Sequence, residues 1–138
     1  MAFEGWLIKF GSTAVPNKYL EKYKDTPNQR VELSAYRDTA VLLHRETSPN
    51  TKTKITVPIK KLYLGEKILL KAIIDSGIID DEEGKRQRKV AVTYWNSEDM
   101  DYKSGIFYIA DIEYTISHVD ERKLNMVYEP FEIKLTEY

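Results

Sequence analysis

Residues 80–89 read DDEEGKRQRK: four carboxylates, a glycine, then four cations among five residues. A split of sign this sharp could hold a metal, grip a phosphate, or do no more than turn the chain in water. The acids lack the alternating Asp-x-Asp-x-Asp spacing and terminal Glu of a calcium loop, which weakens the metal reading. Lys85, Arg86 and Arg88 could hold a phosphate, but Asp80, Asp81, Glu82 and Glu83 beside them cancel most of the field. Two readings remain. One is a solvated loop; the other is a two-signed contact in which the acidic arm of one subunit meets the basic arm of the next.

Other chemistry is thin. Asp111 and Glu113 stand two apart, so on a strand they would share a face and could share a proton or a cation; a solvated face is the simpler reading. His44 and His118 are far apart and lack the i, i+4 spacing of a helical metal pair. The chain has no cysteine, which excludes disulfides and thiolate metal sites. There is no Gly-rich phosphate loop and no nucleophile elbow, and the six glycines are scattered. The expectation is a non-enzyme with no catalytic group, cofactor or metal. A net charge of −1, from 21 basic and 22 acidic residues, argues against a dedicated nucleic-acid binder. The opening MAFEGWLIKF has an acid where a signal peptide carries basic residues, and no stretch approaches the roughly 20 apolar residues of a membrane span. The expectation is a soluble protein, folded in the cytoplasm, with no membrane partner.

The elements that must carry these residues read as mainly β. Ten tyrosines, two tryptophans and four phenylalanines stand beside many Val, Ile and Thr. At 138 residues the chain is one domain, able to bury about two-thirds of the surface its unfolded form exposes. Alternation predicts strands around residues 6–10, 31–35, 41–45, 55–59, 90–95, 124–128 and 131–135, with a turn near residues 38–40. Residues 46–53, ETSPNTKT, are polar with a Pro-Asn pair and read as the exposed tip of a long hairpin over about 42–59. Pro58 marks residues 55–59 as an edge strand or a strand end. Ile106, Tyr108, Ala110, Ile112, Tyr114 and Ile116 read as the dry side of one long strand, with Asp111 and Glu113 on its wet side. A helix is expected over about 64–76. Ile68, Leu69, Ala72 and Ile73 form its apolar face, and Gly77 is its C-terminal stop. About seven strands and one flanking helix make a sandwich or small barrel, residues 1–138 being a single domain.

The segments TPNQR (26–30), YRD (36–38), LLHR (42–45) and EIKLTEY (132–138), in order after GWL (5–7), resemble a family of small tail proteins from phages and prophages of Gram-positive bacteria, found near the tape-measure and distal-tail components. The resemblance implies a tail-tube or distal-tail β fold with a flanking helix and a long hairpin. It also implies assembly into a ring, of six copies, whose channel lets the tape-measure protein and DNA pass without specific binding. Its partners would be itself and other tail proteins, its place the virion tail, assembled in the host cytoplasm. On this reading His44, Arg45, Pro49, Asn50, Lys52, Ile55 and Val57 form a subunit interface, and Asp111 and Glu113 face the lumen. Asp80, Asp81, Glu82, Glu83, Lys85, Arg86 and Arg88 are the charged contact loop. The alternative is a monomeric carbohydrate- or protein-binding β module with Tyr94, Trp95 or Tyr102 as stacking platforms. A third is a single-strand nucleic-acid binder, disfavoured by the charge.

Overall fold

The computed structural model describes residues 3–37 and 43–138, with backbone alone for 30–37 and 43–50. Ten strands are described: β1 (Ile8–Phe10), β2 (Thr13–Ala14), β3 (Lys24–Arg37), β4 (Leu43–Ile59), β5 (Leu62–Tyr63), β6 (Lys89–Asn96), β7 (Asp101–Ile109), β8 (Ile116–Asp120), β9 (Asn125–Tyr128) and β10 (Phe131–Glu137). Two α-helices, α1 (Leu64–Ser76) and α2 (Glu82–Gln87), lie between β5 and β6. The main sheet has seven strands in the order β2-β1-β6-β7-β10-β4-β3, and a smaller sheet has the order β5-β9-β8. All pairings are antiparallel. The mainly β class read from the sequence is the class observed, with the small second sheet and α2 added to the plan.

Period-two burial builds the core. Val90, Val92 and Tyr94 of β6 point inward, as do Ile55, Val57 and Ile59 of β4 and Phe131, Ile133 and Leu135 of β10. Ile8, Phe10, Phe107 and Ile109 complete that layer, and Leu70, Ile73 and Ile74 of α1 cover it. The sheet curls back on itself. From the β3 end, the Tyr23 hydroxyl donates to the Trp95 carbonyl at 2.7 Å, and Asp25 accepts from the Ser97 backbone at 2.8 Å and from its hydroxyl at 2.6 Å.

Several local expectations are corrected. α1 buries Leu70, Ile73 and Ile74, spaced i, i+3, i+4, whereas Ile68 and Leu69 are 60% and 49% exposed. The apolar run ILLKAII is wide enough to support either phase, and contact with the sheet selects one. Gly77 does stop α1 as its C-cap, but without the left-handed conformation usual for a glycine there (φ −97°). It is a contact glycine, because a Cβ there would lie 2.7 Å from the Gly11 nitrogen and 2.9 Å from the Phe10 carbonyl carbon. β7 ends at Ile109 and turns Phe107 and Ile109 inward, not the even-numbered set. The β6–β7 register sets this phase: Val90 faces Phe107 and Val92 faces Gly105, and directly opposed residues share a face. β4 is no edge, since β10 and β3 flank it, but it ends at Ile59, so Pro58 does mark a strand end. Pro58 is tolerated because β3 pairing stops at Lys24↔Thr56, and beyond it the neighbouring segment uses only the Pro58 carbonyl, which accepts from the Glu21 N–H at 2.9 Å.

Candidate functional site

The long hairpin exists, but it is built from β3 and β4, and its turn falls outside the described residues. Residues 46–53 lie within β4 and not at a tip. Pairing with β3 passes from Arg30↔Thr51 to Glu32↔Thr47, so residues 48–50, which include Pro49, stand opposite Val31 alone. Residues 48–50 of the polar stretch are therefore a bulge, which accommodates a residue with no N–H to donate. β10 reaches only Lys54, through Thr136. From Gln29↔Lys52 to Arg37↔Leu43 the two strands pair, among the described residues, only with each other. At about 3.3 Å per residue this ribbon extends roughly 25–30 Å beyond the sheet. A two-stranded ribbon by itself is marginal in water.

A buried polar cluster fixes the ribbon where it leaves the body. Asn28 takes a left-handed conformation (φ 54°) at a bulge in β3. Its backbone N–H donates to Thr53 Oγ1 at 3.3 Å, and its amide nitrogen to Asp99 at 3.2 Å. Thr53, 2% exposed, also accepts from the Tyr94 hydroxyl at 3.2 Å and donates its N–H to Glu137 at 2.8 Å. Asn96, fully enclosed, donates to Asn28 Oδ1 at 3.3 Å and accepts from the Glu98 and Asp99 N–H groups, each at 3.0 Å. Burial holds the Tyr94 pKa above its usual value despite the bond to Thr53. Lys52 closes the root by donating to the Tyr138 carbonyl at 2.8 Å. Of these residues only Lys52 and Tyr94 are singled out in the sequence, Tyr94 as a stacking platform and not as a buried donor. The available signals were Asn28 directly after Pro27, and Asn96-Ser97 at a strand end.

At the other end of the sheet lies an open groove of about 830 Å³ between α1, α2 and the segment after β7. The decapeptide DDEEGKRQRK lends Asp80, Lys85 and Arg88 to its far wall, and its middle, Glu82–Gln87, is the helix α2 and not a loop. Asp81 caps α2 by accepting from the Gly84 N–H, and Arg88 takes a left-handed conformation (φ 55°) that turns the chain into β6. Its two signs pair with each other: Lys85 lies 3.0 Å from Asp80, and Lys89 lies 3.7 Å from Glu83. Glu82 and Arg86 lie exposed on α2. Asp111 stands 3.9 Å from Arg88, which joins two predicted groups that the sequence kept apart. Lys67 lies over the Tyr114 ring at 4.4 Å and the Tyr128 ring at 5.7 Å. Burial, then the charge of Lys71, lowers its pKa.

The predicted site residues thus separate. His44, Arg45, Pro49 and Asn50 lie on the ribbon strand β4, with Lys52 at its root. Ile55 and Val57 cannot be interface side chains, because they are enclosed in the core and β4 has strands on both sides. Asp111 and Glu113 are exposed, but on an irregular connection between β7 and β8, so no regular strand face carries them. Among the stacking candidates, Tyr94 is buried. Tyr102 stacks on Trp6 at 4.0 Å, meets Trp95 edge-on at 5.2 Å, and donates its hydroxyl to the Trp6 carbonyl. Among the described residues no group of three His, Cys, Asp or Glu could hold a metal ion, and no helix is long and apolar enough to cross a membrane.

The fold of this chain is similar to that of a chain in a tail particle. A chain in the helically refined, C6-symmetric tail of an empty gene transfer agent (GTA) particle superposes with a TM-score of 0.50 at 16% identity, over 99% of this chain and 95% of that one. A chain from the virion of the native GTA particle gives a TM-score of 0.48 at the same identity and coverage. A search of curated proteins finds no match. By sequence the chain belongs, over residues 1–138, to a family of unknown function, DUF6711.

Proposed function

We propose that the chain is a structural subunit of a phage-like tail, forming a ring at the tube or its distal end. The observation that carries this reading is the β3–β4 ribbon, which from Gln29↔Lys52 outward has no third strand among the described residues. A neighbouring subunit supplies that strand by edge pairing, as exposed sheet edges commonly recruit one. β8, an outer strand of the small sheet with Ile116 and Val119 exposed, offers a second free edge. Heterologous contacts of this kind close into a ring when the rotation permits. The C6 symmetry of the GTA tail supports six copies. The ring lies in the virion tail among other tail proteins, and its channel passes DNA and the tape-measure protein without binding either. Asp111 and Glu113 on the lumen side would repel the phosphate backbone. The role requires no catalysis.

The test is a ribbon-shortened variant lacking residues 32–47. Val31 then joins Ser48, and the remaining Ser-Pro-Asn supplies turn chemistry between Arg30 and Thr51. The variant should keep the circular-dichroism spectrum of the parent and lose ring formation in light scattering and electron microscopy. Rings of normal size from the shortened chain would remove the ribbon from the assembly.

A further inference from the structure

The two ends of the β6–β7 hairpin have opposite character. At the ribbon end, the turn at residues 97–101 reads SEDMD, with Glu98, Asp99 and Met100 exposed and Met100 held at φ 51° as an apolar knob. The buried Asn96 side chain fixes this turn through the Glu98 and Asp99 N–H groups. Asp99 also engages Asn28 at 3.2 Å and Lys103 at 3.7 Å. Glu98 has no cation within 4 Å among the described residues.

At the opposite end, the groove has an apolar floor of Leu70, Ile74 and Phe131 beneath a rim of Lys67, Lys71, Lys85 and Arg88. Lys71 and Lys85 are neutralised by Asp75 and Asp80 at 2.7 and 3.0 Å. Arg88 has only the fully exposed Asp111 at 3.9 Å, and Lys67 has no carboxylate within 4 Å among the described residues. Lys67 is partly desolvated and repelled by Lys71, an arrangement that a carboxylate from outside would relieve.

We propose that this groove receives the residue 97–101 turn of a second copy of the chain. Met100 meets the apolar floor, and Glu98 and Asp101 face Lys67 and Arg88. One copy cannot satisfy itself, since the eight residues of β6 separate the two sites by roughly 25 Å. A head-to-tail contact closes or propagates according to its rotation, and with the ring's lateral join assigned to the ribbon edge, this one is assigned to the axis. Resting on the assembly reading, the contact adds to it the axial join by which one ring stacks on the next.

The absence of cysteine makes a direct test available. A chain carrying both Met100→Cys and Lys71→Cys, two exposed positions, should give a ladder of disulfide-linked oligomers under mild oxidation, because a bridge forms only when the Cα atoms come within about 7 Å. Either single variant should remain unlinked. Adding Lys67→Glu, or Glu98→Lys, to the double-cysteine chain should cut the ladder yield roughly tenfold, and adding both should restore part of it. No ladder, or dimers from Met100→Cys alone, overturns the proposal, leaving the groove to another partner or the turn to a symmetric contact. The two readings fail separately. Rings without a ladder remove the contact and spare the ring, whereas a ladder from the ribbon-shortened chain supports the contact with no ring present.

Discussion

Thr53→Val tests the ribbon root at nearly constant volume. The substitution removes one oxygen that accepts from the Tyr94 hydroxyl at 3.2 Å and from the Asn28 N–H at 3.3 Å. Thr53 is 2% and Tyr94 3% exposed, so water has little access to replace the acceptor. An orphaned buried donor costs about 1–3 kcal/mol. Tyr94 is enclosed and Asn28 half-buried, which places the sum at about 2–3 kcal/mol. For a chain of this length each kcal/mol lowers Tm by about 3–5 °C, so the expected drop is about 6–15 °C. The assay is a thermal melt followed by circular dichroism, repeated for Tyr94→Phe and for the double variant. In the double variant no Tyr94 hydroxyl is left to orphan, and its cost should fall below the sum of the singles by about 1 kcal/mol. Strict additivity would refute the hydroxyl–hydroxyl bond. A Tm unmoved by Thr53→Val would refute the dry cluster altogether.

Leu70→Ala should cost about 2–5 kcal/mol as a core truncation. Leu69→Ala, on the exposed side of α1, should cost less than about 1 kcal/mol in the isolated chain, and equal losses in chemical denaturation would show the observed helical phase to be wrong. Gly84→Ala should destabilise by about 1–3 kcal/mol, because a Cβ would stand 2.6 Å from the Ile79 carbonyl oxygen; a neutral melt would mean that α2 shifts freely. Reversing Lys85 and Arg86 should cost about 0.5 kcal/mol or less per site, and a larger loss would show that the Lys85–Asp80 pair is more than a surface contact. Tyr23 has its pKa raised above 10.0, first by burial and then by Asp25, so the fold favours its neutral form. That stabilisation is complete below pH 10 and is lost as pH rises above it. Urea melts should show stability declining there, and Tyr23→Phe should flatten the decline.

What was legible in the sequence was local. The alternation of β6 and β10 and the position of α1 follow from period and propensity, because each strand there has one dry face. Where two apolar phases compete, only tertiary contact chooses between them. Leu69 and Leu70 are chemically equivalent in the sequence and differ by which one meets the sheet. Ile106 and Phe107 offer the same ambiguity, resolved by the β6–β7 register. Residues 46–53 were misplaced because turn chemistry signals a break in pairing without saying whether the break is a loop or a bulge. DDEEGKRQRK looked solvated because its charge conceals a capped helix whose buried point is Gly84, a residue with no side chain to announce it.

The ribbon root was invisible for a different reason. Asn28, Thr53, the β6 pair Tyr94 and Asn96, and Glu137 come from four distant parts of the chain, and each alone is an ordinary polar residue. Only the curl of the sheet, which brings the start of β3 to the β6–β7 turn, assembles them. The groove is similar: Lys67 reads as a solvated helix position until Tyr114 and Tyr128 are placed beneath it.

The central claim is that the chain builds a ring through a ribbon completed by its neighbour. Hydrogen exchange of the backbone amides in residues 32–37 and 43–47, compared between free subunit and electron-microscopically verified assembly, tests it most directly. The account predicts outer-edge amides that exchange freely in the subunit and become protected by at least about a hundredfold on assembly, as new strand pairing closes them. Unchanged exchange in the assembly, or a chain that remains strictly monomeric up to millimolar concentration, contradicts it.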